Sequence, residues 1–114
     1  MLELSWVKCT DGVWCPLETV NLEKVEAEGV YIIWHEGDPG QVVYVGQGDV
    51  ATRLADHRNN VDILKYAKEG KLRVTWAAVS KAQRDGVERY LANLLDPLIA
   101  YTFPIAQPIE VNSP

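Results

Sequence analysis

Several things are scarce in this chain of 114 residues, and each shortage closes off a class of function. No apolar run approaches the ~20 residues a membrane-spanning helix needs, so no membrane partner is expected. The first residues, Met1-Leu2-Glu3-Leu4-Ser5, lack the basic-then-apolar order of a signal peptide, and a cytoplasmic location is the expectation. Basic residues are outnumbered, 11 against 16 acids, for a net charge of −5. A free-standing nucleic-acid binder usually carries the opposite balance, which argues against tight, sequence-neutral DNA binding. There are only two cysteines, Cys9 and Cys15, around Thr10-Asp11-Gly12. A disulfide or half of a metal site are the alternatives, but two thiols do not close a zinc site and a cytosolic setting disfavours a bridge. The expectation is therefore two small apolar side chains on a hairpin turned by Asp11-Gly12. Internal repeats and low-complexity segments are absent too.

What is present is an ordinary globular composition, 47% hydrophobic and 24% charged, enough for one domain with a modest core. The charge is uneven. Residues 1–52 hold two bases against nine acids, whereas residues 53–73 hold six bases against three acids. On charge alone that basic stretch reads as a solvated helix face.

Two runs, Gly29-Val30-Tyr31-Ile32-Ile33-Trp34 and Gln41-Val42-Val43-Tyr44-Val45-Gly46, are β-branched and aromatic, and His35 to Gly40 between them is turn-rich. Strand, turn, strand follows. A third strand is expected over 72–79. Helices are expected near 50–58 with Asp49 as N-cap, near 61–69 stopped by Gly70, and over 81–95 with Ser80 and Gln83 as a capping box and Pro97 near its end. Leu4–Cys9 and Val13–Leu17 read as a short hairpin that extends the sheet or covers one face, with Pro16 at an edge or strand end. Residues 101–114 hold three of the six prolines and read as extended or loose. The architecture expected is α/β of the α+β type: a small three-stranded antiparallel sheet flanked by helices. It divides into an N-terminal hairpin extension (1–28), a central domain (29–100) and a proline-rich tail (101–114).

A hairpin would bring the phenols of Tyr31 and Tyr44 near each other, and a paired, partly buried phenol has acid–base chemistry that a lone surface tyrosine lacks. Arg53 and His57 lie four apart on one expected helix and share a face. Glu88 lies next to the core-facing Val87. Singly, each has a bland explanation: strand aromatics, an exposed helix pair, a surface acid. Their joint order is the informative feature.

Gly29-Val30-Tyr31, Tyr44-Val45-Gly46, Arg53-Leu54-Ala55-Asp56-His57 and Glu88 with Leu91, Leu95 and Pro97 together resemble the GIY-YIG nuclease superfamily over roughly residues 29 to 100. The resemblance implies a metal-dependent DNA endonuclease. Glu88 would hold one Mg²⁺ or Mn²⁺, which keeps several waters and takes other oxygens from phosphate. Arg53 would contact the scissile phosphate. Tyr31 would be the general base, with Arg53, His57 and the metal favouring its phenolate. Tyr44 would support by hydrogen bonding, and His57 would orient or relay a proton. Gly46, Gln47, Gly48 and Arg58 are the expected substrate-binding residues. The family also carries an asparagine about a dozen residues after the glutamate, where this chain has Ala100; Asn93 comes one turn too early and Asn112 lies far down the tail. The acidic balance and Ala100 keep a second reading open, a non-catalytic module of the same fold that binds protein or nucleic acid. As a nuclease, the chain would take specificity from a partner protein or a homo-oligomer.

Overall fold

The strands are β1 (Cys15–Pro16), β2 (Glu28–His35), β3 (Gln41–Asp49) and β4 (Leu72–Ala78), and the helices are α1 (Val50–His57), α2 (Val61–Leu64) and α3 (Lys81–Leu95). They come from a computed structural model that describes residues 1–99 and 103–114. Ala100 lies outside the described residues. The two tyrosine-bearing runs form the antiparallel pair β2–β3, and β2 pairs antiparallel with β4 on its other side. Among the described residues the sheet has four strands, in the order β1-β4-β2-β3, one more than expected. The added strand is Cys15–Pro16 on the free edge of β4, in register with Val74 and Arg73. An edge tolerates Pro16, which has no N–H to give to a ladder. Backbone bonds from Leu17 N–H to Leu72 (3.1 Å) and from Val7 N–H to Trp76 (3.0 Å) tie the flanking chain to β4. The N-terminal region thus extends the sheet.

Its turn differs from the expected hairpin. Thr10–Gly12 makes a 3₁₀ turn in which Asp11 and Gly12 have φ of 60° and 71°. Reversed this way, the chain brings the Cα atoms of Cys9 and Cys15 to 5.0 Å and the two side chains form a disulfide. The expectation of two free thiols is corrected: the turn sets the bridging distance.

Strand alternation sorts the core into two layers. Tyr31, Ile33, Val43 and Val74 pack with Val50 and Leu54 of α1 and Ile63 of α2. Val30, Ile32 and Val45 pack with Val87 and Leu91 of α3 and with Val111 of the C-terminal segment. Because β2 is covered on both faces, it reads as a continuous apolar run.

Local chemistry sets the helix ends. The Asp49 carboxylate accepts from Thr52 N–H (3.3 Å) at the start of α1, and Asn60 accepts from Asp62 N–H (2.9 Å) at the start of α2. The expected helix over 61–69 is α2 followed by a 3₁₀ turn at Lys65–Lys68. The expected capping box is absent. Ser80 Oγ donates to the Gln83 side-chain oxygen (2.9 Å), and the Gln83 N–H goes to the Ser80 carbonyl (3.0 Å). α3 ends where Asp96 turns left-handed with φ of 46°, just before Pro97.

The described part of the tail is extended, but it is anchored. Leu2 and Val111 form a parallel bridge, and Val111 is only 2% exposed. Asn112 accepts from Leu4 N–H (2.6 Å), donates to the Leu4 carbonyl (2.9 Å), and takes the Trp6 indole N–H on its own carbonyl (2.8 Å). Ile109 N–H bonds to the Gly86 carbonyl (3.0 Å), and a Cβ at Gly86 would collide with the Ile109 side chain. Both termini therefore share the α3 side of the core. No helix among the described residues is long and apolar enough to cross a membrane.

Replacing Asn112 with alanine removes two side-chain bonds to Leu4 and leaves the Leu4 amide unmatched. We expect a loss of roughly 1–3 kcal/mol, seen as a lower urea midpoint at unchanged slope.

Candidate functional site

The site begins with a missing side chain. Tyr31 on β2 stands opposite Gly46 on β3. A Cβ at position 46 would overlap the Tyr31 ring and hydroxyl, so only glycine lets the phenol lie across β3. Tyr44, two residues earlier on β3, projects to the same face, and the rings stack with centroids 6.1 Å apart and planes 11° apart.

β3 runs directly into α1, which carries Arg53 and His57. His57 Nε2 lies 2.6 Å from the Tyr31 hydroxyl, and the imidazole centroid is 4.5 Å from that of Tyr44. Arg53, one turn earlier, presents an exposed side chain to the same cleft. From the opposite layer, α3 contributes Glu88, which is 3% exposed. Its carboxylate accepts from the Gln47 side-chain amide (2.9 Å), and the same nitrogen donates to Asp85 (2.8 Å). Together these groups enclose a cleft of about 240 Å³, with Asp56 and Pro104 also on its wall.

Seven of the nine residues singled out in the sequence meet here: Tyr31, Tyr44, Gly46, Gln47, Arg53, His57 and Glu88. Two do not line the cleft. Gly48, at φ of 124°, supports the Arg53 side chain from behind; a Cβ there would sit 3.2 Å from Arg53 Nε. Arg58 is turned away. Its Nε donates to the Leu17 carbonyl (2.8 Å) and its guanidinium also bonds the Val20 carbonyl. One residue beyond His57 is about 100° further round the helix, which points Arg58 at the 17–20 loop. The substrate-binding expectation for Arg58 is thereby replaced by a structural one. Asp85, Asp56 and Pro104 were not anticipated. Asp85 had a signal, since it shares a helix face with Glu88 at i, i+3. Nothing in the sequence marks Pro104.

Electrostatics changes the expected role of Tyr31. Burial first, then the neighbouring Tyr44, holds its hydroxyl well above the ordinary phenol range; Glu88 adds to the rise and Arg53 opposes it. The protein's own cations do not produce a phenolate. Burial pushes His57 down to about 4, with Arg53 acting in the same direction and Asp56 against it. At neutral pH a protonated phenol therefore faces a neutral imidazole. In the tautomer protonated at Nδ1, Tyr31 donates and His57 Nε2 accepts.

Among the described residues there is no group of three or more His, Cys, Asp or Glu side chains arranged to hold a metal. The donor chemistry still fits one hard divalent cation. Glu88 and Asp85 offer carboxylate oxygens of the kind such a cation takes, and both accept from the Gln47 amide nitrogen.

Two outcomes follow. Gly46→Ala overpacks Tyr31 and should cost about 1–3 kcal/mol in urea unfolding. For His57, the unfolded value is about 6.5 and the folded value is about 4. Between these values the unfolded chain binds more protons, so stability falls as pH drops through this window and is unaffected above it. Urea midpoints measured across the window should show a shallower acid decline in His57→Gln than in the parent.

Comparison of this chain with family models, with curated proteins and with solved structures gave no match.

Proposed function

We propose that this protein is a metal-dependent DNA endonuclease of the GIY-YIG type, acting by phosphodiester hydrolysis. The observation that carries the reading is the convergence of Tyr31, Tyr44, Arg53, His57 and Glu88, from two strands and two helices, on one cleft. The 2.6 Å Tyr31–His57 contact within it gives those groups a chemical task.

In this reading Arg53 faces the scissile phosphate, where an always-charged planar fork suits the negative charge that builds up during attack. Glu88, with Asp85 beside it, would hold Mg²⁺ or Mn²⁺, which would supply Lewis-acid stabilisation to the phosphate oxygens. Tyr31 acts as a relay. As its oxygen accepts a proton from the attacking water, its own proton passes to His57 Nε2, so no free phenolate is needed. The neutral imidazole makes His57 the acceptor at neutral pH. Tyr44, stacked on Tyr31 and close to His57, holds both rings in place. A DNA substrate fits a cytoplasmic location, and a partner protein or second copy would supply specificity. The acidic balance of −5, with Arg58 tied to backbone carbonyls, favours the alternative of an inactive module of the same fold.

Supercoiled plasmid and branched or single-stranded DNA, incubated with the protein and Mg²⁺ or Mn²⁺, should be cut, and chelator should stop it. Tyr31→Phe, Glu88→Ala and His57→Gln should each lower the rate by roughly 100-fold or more. The acid limb of the rate profile should lie near the folded His57 value of about 4. Cutting that survives in both Tyr31→Phe and Glu88→Ala is contamination and sinks the assignment. No cutting and no retention of DNA at low salt points to the inactive module.

A further inference from the structure

A second cleft lies on the N-terminal side of the sheet, and the nuclease reading makes no use of it. It measures about 660 Å³, much larger than the tyrosine cleft. That volume is within the roughly 300–1,000 Å³ typical of small-molecule sites. Val7, Val20, Val25 and Trp76 give it an apolar lining, and the Cys9–Cys15 disulfide forms part of its wall. Lys8 and Lys24 also line it. Both are exposed, and neither forms an ion pair among the described residues. The Lys8 ammonium is held 4.4 Å from the Trp14 ring centroid, beside the disulfide turn.

We infer that this cleft is a thiol–disulfide exchange site at which a small anionic thiol of peptide size becomes attached to Cys9. Three features of the cleft select that chemistry. A disulfide in the wall of an open cleft is reachable by a ligand small enough to enter. The two lysines select a carboxylate-bearing molecule over a neutral or cationic one. The two cysteines differ in access, since Cys9 is half-buried whereas Cys15 has no exposed surface. Attack is directed to the accessible sulfur.

The step balances without an external oxidant. The incoming thiolate forms a bond to Cys9 Sγ, the Cys9–Cys15 bond breaks, and its electron pair leaves on Cys15 Sγ, which takes a proton from water. One disulfide is exchanged for another. The site is independent of the nuclease reading and stands or falls without it.

The test uses the full oxidised chain, reduced glutathione, and glutathione diethyl ester as a probe with the same thiol but masked carboxylates. Non-reducing intact mass with peptide mapping follows the product. We expect one glutathione per chain, attached to Cys9. It should form about fivefold faster than the ester adduct, the gain expected from two exposed charge pairs. Lys8→Ala combined with Lys24→Ala, or high salt, should erase that preference. Each of the following overturns the proposal: a chain isolated with two free thiols, no adduct while the urea-unfolded chain reacts, an adduct on Cys15, or equal rates for glutathione and its ester.

Discussion

The candidate site depends on one steric constraint: position 46 has no side chain. Tyr31 can lie across β3 only because nothing projects from the residue opposite. Once there, the phenol is against Tyr44, within 2.6 Å of His57, and buried at 1% exposure. The burial that places the phenol is also what holds its proton. Geometry and proton affinity at this site therefore share one cause, and neither can be altered without the other.

In the proposed nuclease reading, this coupling works against a free phenolate base. In water a phenol and an imidazole differ by more than three units in proton affinity, and a relay between them runs uphill. Burial raises the phenol and lowers the imidazole, so the gap here is wider still. A positive charge entering the cleft would favour the deprotonated phenol and, as Arg53 does, also disfavour a protonated imidazole. Arg53 already acts in that direction on Tyr31, but it is exposed and the effect is outweighed. Glu88 brings a carboxylate to the wall of the cleft, and Asp85 meets the same Gln47 amide nitrogen beside it.

Much of the fold was legible in the sequence because its signals were local. β-Branched runs around a turn gave the β2–β3 pair, and Asp49 marked a helix start that its hydrogen bond bears out. The positions of Tyr31, Tyr44, Arg53, His57 and Glu88 on strands and helices were equally readable. What escaped was orientation and long-range contact. Arg58 and His57 are neighbours in sequence, yet 100° of helix rotation separates a cleft residue from one bonded to the Leu17 carbonyl. Two cysteines six residues apart read as free thiols, because only the left-handed Asp11-Gly12 turn brings them to bridging distance. A proline-rich tail looks unanchored, because the burial of Val111 depends on Leu2 and α3 at the other end of the chain.

The joined termini also bear on the order in which structure forms. The bonds between Leu4 and Asn112 span 108 residues, nearly the whole chain. Closing so long a loop is costly in entropy until the intervening chain is already folded. The β2–β3 pair, joined by a short turn, carries no such delay. Folding should therefore proceed outward from the tyrosine hairpin, with the seam between Leu2 and Val111 closing last. The same seam would open first in native-state hydrogen exchange, exposing the α3 layer of the core before the layer that holds Tyr31.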